Sequence, residues 1–133
     1  MRMWVWILLL LVVAALAWIR LAPSDAARWH QPVTASEDKT FASGAVRVLP
    51  HQEGRLDRLH EIALATPRTS VLAGSPAEGR TTYITRSKVM GFPDYTTVER
   101  DGDQIRLYAR LRFGRSDMGV NRARLDDWVS RLN

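Results

Sequence analysis

Seventeen consecutive residues, Met3 to Ile19, contain no charged side chain and nothing more polar than tryptophan. No small soluble domain can leave such a run in water, so this segment limits the fold more than any other feature. As a helix it would span about 25 Å, against a bilayer hydrocarbon core of about 30 Å. Arg2 and Arg20 bracket it and can snorkel to close the gap. Trp4 and Trp6 lie near one end and Trp18 near the other, the placement of aromatic anchors at two interfaces. A cleaved leader is the competing reading, with Ala15-Leu16-Ala17 as a small-x-small site. The apolar run exceeds the roughly 7–15 residues of a leader's core, and cleavage there would leave Trp18-Ile19-Arg20 at the new terminus. Residues 1–22 therefore read as an uncleaved single-pass transmembrane anchor. Charge leaves its orientation open: Arg20, Arg28 and Lys39 outweigh Arg2 and the amino terminus, but long domains translocate largely regardless of such counts.

Beyond the anchor, the chain has the apolar share of an ordinary domain and enough length for one core. A multidomain enzyme and a polytopic membrane protein are excluded. The absence of cysteine removes disulfides, thiolate metal sites and a cysteine nucleophile. The net charge of +5 is unevenly placed. Between Arg80 and Arg124 there are ten basic residues and five acidic ones, so this stretch holds the whole excess. A local positive excess suits an anionic partner or, more plainly, a solvated and ion-paired face.

Pro23 stops the anchor helix. Residues 23–45 lack periodicity and read as a linker packed on the domain, with 46–133 the domain itself. Ala45 to Leu49 suits a short strand. Arg55 to Thr66 places Leu56, Leu59, Ile62 and Ala63 on one helical face, and Pro67 ends it. Thr69 to Ala73, Arg80 to Met90 and Asp94 to Arg100 read as strands, with Gly91-Phe92-Pro93 as a bulge or bend between the last two. Asp101-Gly102 suits a tight hairpin. From Gln104 to Phe113 the alternation is strict: Ile105, Leu107, Ala109, Leu111 and Phe113 face one way, Arg106, Tyr108, Arg110 and Arg112 the other. The spacing predicts a core face and an outward face of guanidinium and phenol groups. Ser116-Asp117 is the expected N-cap of a final helix whose stripe is Leu125, Trp128, Val129 and Leu132. The whole is α+β: a transmembrane helix, then a small antiparallel sheet covered on one face by two helices.

Three stretches carry a resemblance: Tyr83-Ile84-Thr85-Arg86-Ser87, Gly91-Phe92-Pro93-Asp94, and Arg112 to Arg124 with its Gly-x-Ser-Asp-x-Gly-Val-Asn-Arg pattern. Together they closely resemble the domain-of-unknown-function family 1499 (DUF1499), over nearly all of residues 22–133. The start from Ala22 to His30 is similar to that family's membrane-anchored proteobacterial branch. The resemblance implies no established activity. In many members a leader or lipid anchor and a cysteine pair imply an extracytoplasmic domain; this chain has no such pair. Arg115 stands where relatives often have tyrosine.

The candidate ligand-binding residues are Arg86, Phe92, Asp94, Arg106, Tyr108, Arg110, Arg112, Asn121 and Arg122. Alternating arginines can offer forks to carboxylates or phosphates, with Tyr108 as an amphipathic surface. Equally, Asp94, Glu99 and Asp117 could pair with those arginines inside the sheet, each exposed pair contributing about 0–1 kcal/mol. The helix end beginning at Gly114 could hold an outside anion with Ser116, Asn121 and Arg122, or be capped by Asp117 itself. His30, His51 and His60 are scattered without ligand spacing, and no nucleophile triad or phosphate loop is present, so neither metal nor cofactor is expected. Interspersed acids and the anchor argue against nucleic acid. The expectation is a binding or scaffold module without catalysis, held in the bacterial inner membrane and facing the periplasm. Its partners are the membrane and an anionic lipid or small anionic ligand. The alternative is a small enzyme with a cavity between the sheet and the C-terminal helix, similar at fold level to a shortened helix-grip.

Overall fold

A computed structural model describes residues 2–132. The apolar run forms helix α1, Arg2–Leu21, long and apolar enough to cross a membrane, with none of its spanning window buried against the domain. After it come a short helix α2 (Ala26–Trp29) and strands β1 (Lys39–Phe41) and β2 (Gly44–Pro50). Helix α3 (Arg55–Ala65) precedes β3 (Thr69–Ser75), β4 (Arg80–Arg86), β5 (Pro93–Asp101) and β6 (Gln104–Leu111), and helix α4 (Val120–Ser130) closes the chain. The six strands form one sheet in the order β1-β2-β6-β5-β4-β3, every pair antiparallel. The fold is α+β.

Alternation in β6 places Ile105, Leu107 and Ala109, each fully buried, beneath the helices. Opposite them in register stand Leu49, Arg47 and Ala45 of β2, and Arg100, Val98 and Thr96 of β5. Leu59, Ile62 and Ala63 of α3 and Leu125 and Trp128 of α4 complete this core. Burying one such aliphatic side chain stabilises the fold by roughly 1.5–3 kcal/mol. Trp128 meets Tyr83 edge to face with centroids 5.8 Å apart, and its indole N–H donates to Thr66 Oγ1 at 3.0 Å. Tyr83 shares a hydrogen bond of 2.7 Å with His60 Nδ1 of α3, so the aromatic group ties both helices to β4. Gly44 has no room for a side chain: a Cβ there would sit 2.1 Å from the carbonyl oxygen of Ala109.

The second face of the sheet differs from the expectation. The stretch read as a linker carries α2 and β1, and residues 22–35 cross the Arg/Tyr face as a strap. Ala22 and Val33 of the strap are buried. Irregular backbone covering a sheet must find partners for its carbonyls, and the arginines of β6 supply them. Arg106 Nη1 donates to Val33 O at 3.0 Å, Arg110 Nη2 to Trp29 O at 2.5 Å, and Arg112 Nη1 to Pro23 O at 3.1 Å. The strap thus runs antiparallel to β6, attached by side-chain forks instead of a ladder. Trp29 stacks on Tyr95 at 4.1 Å, and the Arg110 guanidinium lies 4.7 Å from the Tyr108 ring centroid. The expected outward guanidinium face is therefore a second, covered layer, and Arg110 is only 8% exposed. The strand also ends at Leu111, short of the expected Phe113.

Candidate functional site

Eight of the nine residues singled out from sequence divide between two places, and Arg122 stands apart from both. Arg106, Tyr108, Arg110 and Arg112 belong to the strap layer, where three of them hold backbone carbonyls. Their acidic partners are not those foreseen. Glu99 pairs with Arg80 at 2.6 Å, Asp101 with Arg106 at 3.0 Å, and Asp94 faces Arg124 at 3.7 Å. Arg110 has no carboxylate partner among the described residues; burial pushes its guanidinium pKa down to about 10, still charged at neutral pH, with Thr97 Oγ1 accepting at 2.8 Å. Arg122 lies exposed on the first turn of α4.

Arg86, Phe92 and Asp94 converge elsewhere. They line a cleft of about 470 Å³ at the end of the sheet where α4 begins. Leu111, Phe113 and Val120 supply further apolar wall, and Arg68, Arg124 and Asp117 further charge. The three arginines and two aspartates of the lining leave one net positive charge. Arg68 adopts a left-handed backbone conformation, φ 56°, and exchanges hydrogen bonds with Arg86 across the strand end: Arg86 N to Arg68 O and Arg68 Nε to Arg86 O, both 3.0 Å. Met118, beside the same cleft's Asp117, is the other non-glycine residue with positive φ among the described residues, at 55°. Each such residue costs roughly 1–2 kcal/mol, and backbone strain of this kind gathers at functional sites.

The floor of the cleft is an ordered polar group. Asn121, fully buried, donates from Nδ2 to Asp94 Oδ2 at 3.2 Å, while Arg124 donates to Asn121 Oδ1. Burial raises the Asp94 carboxyl above its ordinary pKa, and the Arg124 charge and the Asn121 amide oppose that rise. Burial likewise lowers Arg124. Asp117 caps α4 from two residues before the helix boundary at Gly119, accepting from Gly119 N at 2.8 Å and Asn121 N at 3.2 Å. It therefore occupies the helix end that an outside anion would need. Asn121 serves the floor: it is fully buried, its amide donates to Asp94 and its carbonyl accepts from Arg124.

Two lining residues, Arg68 and Arg124, are not marked by the sequence. Arg68 gave no periodic signal, since it follows Pro67 in a turn; Arg124 sat just past the Gly-x-Ser-Asp-x-Gly-Val-Asn-Arg pattern, one helical turn beyond Asn121. The histidines go to separate duties: His30 Nδ1 meets Thr82 Oγ1 at 2.8 Å, His60 meets Tyr83, and His51 Nδ1 is buried without a partner among the described residues.

One residue of the cleft also reaches the end of α1. Arg86, part of its wall, donates from Nη1 to Gly91 O at 3.0 Å and to Ile19 O at 3.4 Å. Residues 20–132 match the family described as "Protein of unknown function (DUF1499)". The chain belongs to the DUF1499 family. That match begins at Arg20, so the strap belongs to the DUF1499 domain along with the sheet. No curated protein and no solved structure matches this DUF1499 chain.

Proposed function

We propose that this chain is a membrane-anchored, non-catalytic module that takes an anionic amphiphile into the cleft between β4–β5 and the start of α4. One observation carries the reading: Arg86 lines the cleft and also reaches the Ile19 carbonyl at the end of α1, at 3.4 Å. The cleft therefore opens beside the place where an anchor helix leaves the bilayer. Arg68 and Arg86 at the rim suit a carboxylate or phosphate head, and Phe92, Phe113, Leu111 and Val120 suit an alkyl chain. The reading places the protein in the bacterial inner membrane with its domain on the periplasmic side, following the resemblance of its Ala22–His30 start to anchored family members. The face of β6 takes no part, because the strap covers it.

Dansyl-undecanoate added to the full chain in phosphatidylcholine nanodiscs tests this, with empty nanodiscs as background. Saturable fluorescence enhancement is expected, weakened about tenfold by Arg68→Glu and abolished by Val120→Trp at the cleft mouth. Enhancement no greater than in empty nanodiscs contradicts the proposal.

A second reading, catalysis at Asp94, draws on a carboxyl of raised pKa in a cleft. The partners of Asp94, Asn121 and Arg124, are those of a carboxylate that holds structure together. Steady hydrolysis of para-nitrophenyl laurate, lost in Asp94→Asn, would favour this reading over the first.

A further inference from the structure

We infer that the β4–β5 loop, Ser87 to Phe92, is a second membrane contact, in which Val89 and Met90 enter the interfacial layer beside the last turn of α1. The inference rests on the reading of α1 as an anchor but not on any ligand in the cleft.

The loop displays its apolar side chains to the outside. Val89 is 74% exposed and Met90 39%, although the loop itself is tightly tied. Ser87 N donates to Phe92 O at 3.0 Å, Gly91 N to Ser87 O at 3.2 Å, and Phe92 N to Ser87 Oγ at 2.9 Å. A rigid tip that presents valine and methionine is built for an apolar surrounding, and single apolar residues at a fixed tip gain nothing from water.

Its position says which surrounding. Arg20 in the last turn of α1 donates to Val89 O, and Arg86 bridges Gly91 O to Ile19 O. Gly91 has φ +73° and lies so close to Arg20 that a Cβ would sit 2.9 Å from Arg20 Cγ. The positive φ favours glycine at this position, and the loop packs closely on the Arg20 side chain. Along α1 every described residue is exposed except Leu16 and Ile19, which are partly covered. Leu16 lies about 6 Å up the helix from Arg20, on the same helical face as Ile19.

Length and charge agree. The apolar run is about 5 Å shorter than a typical hydrocarbon core. An apolar loop clamped beside its last turn lengthens the apolar surface on that side, and mismatch of this size is relieved by such means. Lys88 next to Val89, together with Arg20, places positive charge at headgroup height. The partner is a lipid surface; a protein partner at this loop is the competing outcome.

The chain contains no cysteine, so single cysteines report without background. Val89→Cys carries an NBD fluorophore in the full chain reconstituted into phosphatidylcholine–phosphatidylglycerol vesicles. Leu10→Cys in the middle of α1 and Ala77→Cys in the turn between β3 and β4 serve as references. Blue-shifted emission at position 89, quenched by shallow nitroxide-labelled lipid and shielded from iodide, is expected. Emission and iodide access equal to those at position 77 overturn the inference, whether or not a protein partner later covers the loop. In that event a lipid-quenched label at position 10 leaves the anchor standing; a water-accessible one removes the anchor reading as well.

Discussion

Arg110 reaches the carbonyl oxygen of Trp29, 81 residues earlier in the chain, and by doing so fastens the segment after the anchor helix to the centre of the sheet. The same guanidinium lies 5.6 Å from the Trp29 ring centroid, which itself stacks on Tyr95. A residue on a face that alternation marks as outward is thereby an interior one.

Removal of this contact should loosen the strap without dissolving the core. Trp29→Ala deletes the stacking and the cation–π contact, and a loss of about 1–3 kcal/mol is expected in urea unfolding followed by circular dichroism. Arg110→Ala should cost at least as much, because the Trp29 carbonyl and the Thr97 hydroxyl both lose its donors. An unchanged unfolding midpoint in both variants would mean that the strap contributes nothing to folding.

His30 gives the strap a pH dependence. Burial, reinforced by the Arg80 and Arg110 charges and opposed by Glu78 and Glu99, lowers its pKa below 6.5. The unfolded chain then binds a proton before the folded one does, so stability falls as pH drops through about 6.5 towards the folded value. His30→Gln should flatten that part of the stability profile, measured as unfolding free energy between about pH 5 and pH 7. A profile as steep as that of the parent would assign the dependence to another group.

Tyr83 should keep its phenolic proton far into alkaline solution. Burial pushes its pKa up to about 12, well above the ordinary 10.0. In a spectrophotometric titration, the parent and Tyr83→Phe should show the same phenolate absorbance up to about pH 11, as long as both remain folded. An extra phenolate in the parent near pH 10 would show that the space between α3, α4 and β4 admits water.

The elements that proved legible in the sequence are those whose side chains report their own surroundings. Ile105, Leu107 and Ala109 alternate because one side of β6 is core, and Pro67 ends α3 by geometry alone. The Phe92-Pro93 interruption between strands was visible for the same reason. The strap was legible only as a linker packed on the domain; its attachment was not, because it runs through backbone carbonyls at Pro23, Trp29 and Val33, which no residue pattern encodes. Period-two alternation says which face is not core; it does not say whether a distant segment covers that face. The cleft was half legible: Phe92 and Asp94 sit at a visible bend and Arg86 in a family-like stretch of an expected strand, while Arg68 and Arg124 enter through chain reversals that bring a turn and a helix to the same strand end. Asn121 was chosen as a ligand donor, yet its buried amide completes the floor under Asp94.

The most direct measurement is photo-cross-linking of the full chain in vesicles that contain phosphatidic acid with a diazirine in one acyl chain, the adducts then being mapped by mass spectrometry. Adducts on Phe92, Phe113 and Val120, reduced by unlabelled laurate, are the expected result. Adducts confined to α1, with the cleft residues unmodified, would contradict a lipid-binding cleft at the anchor end of the domain.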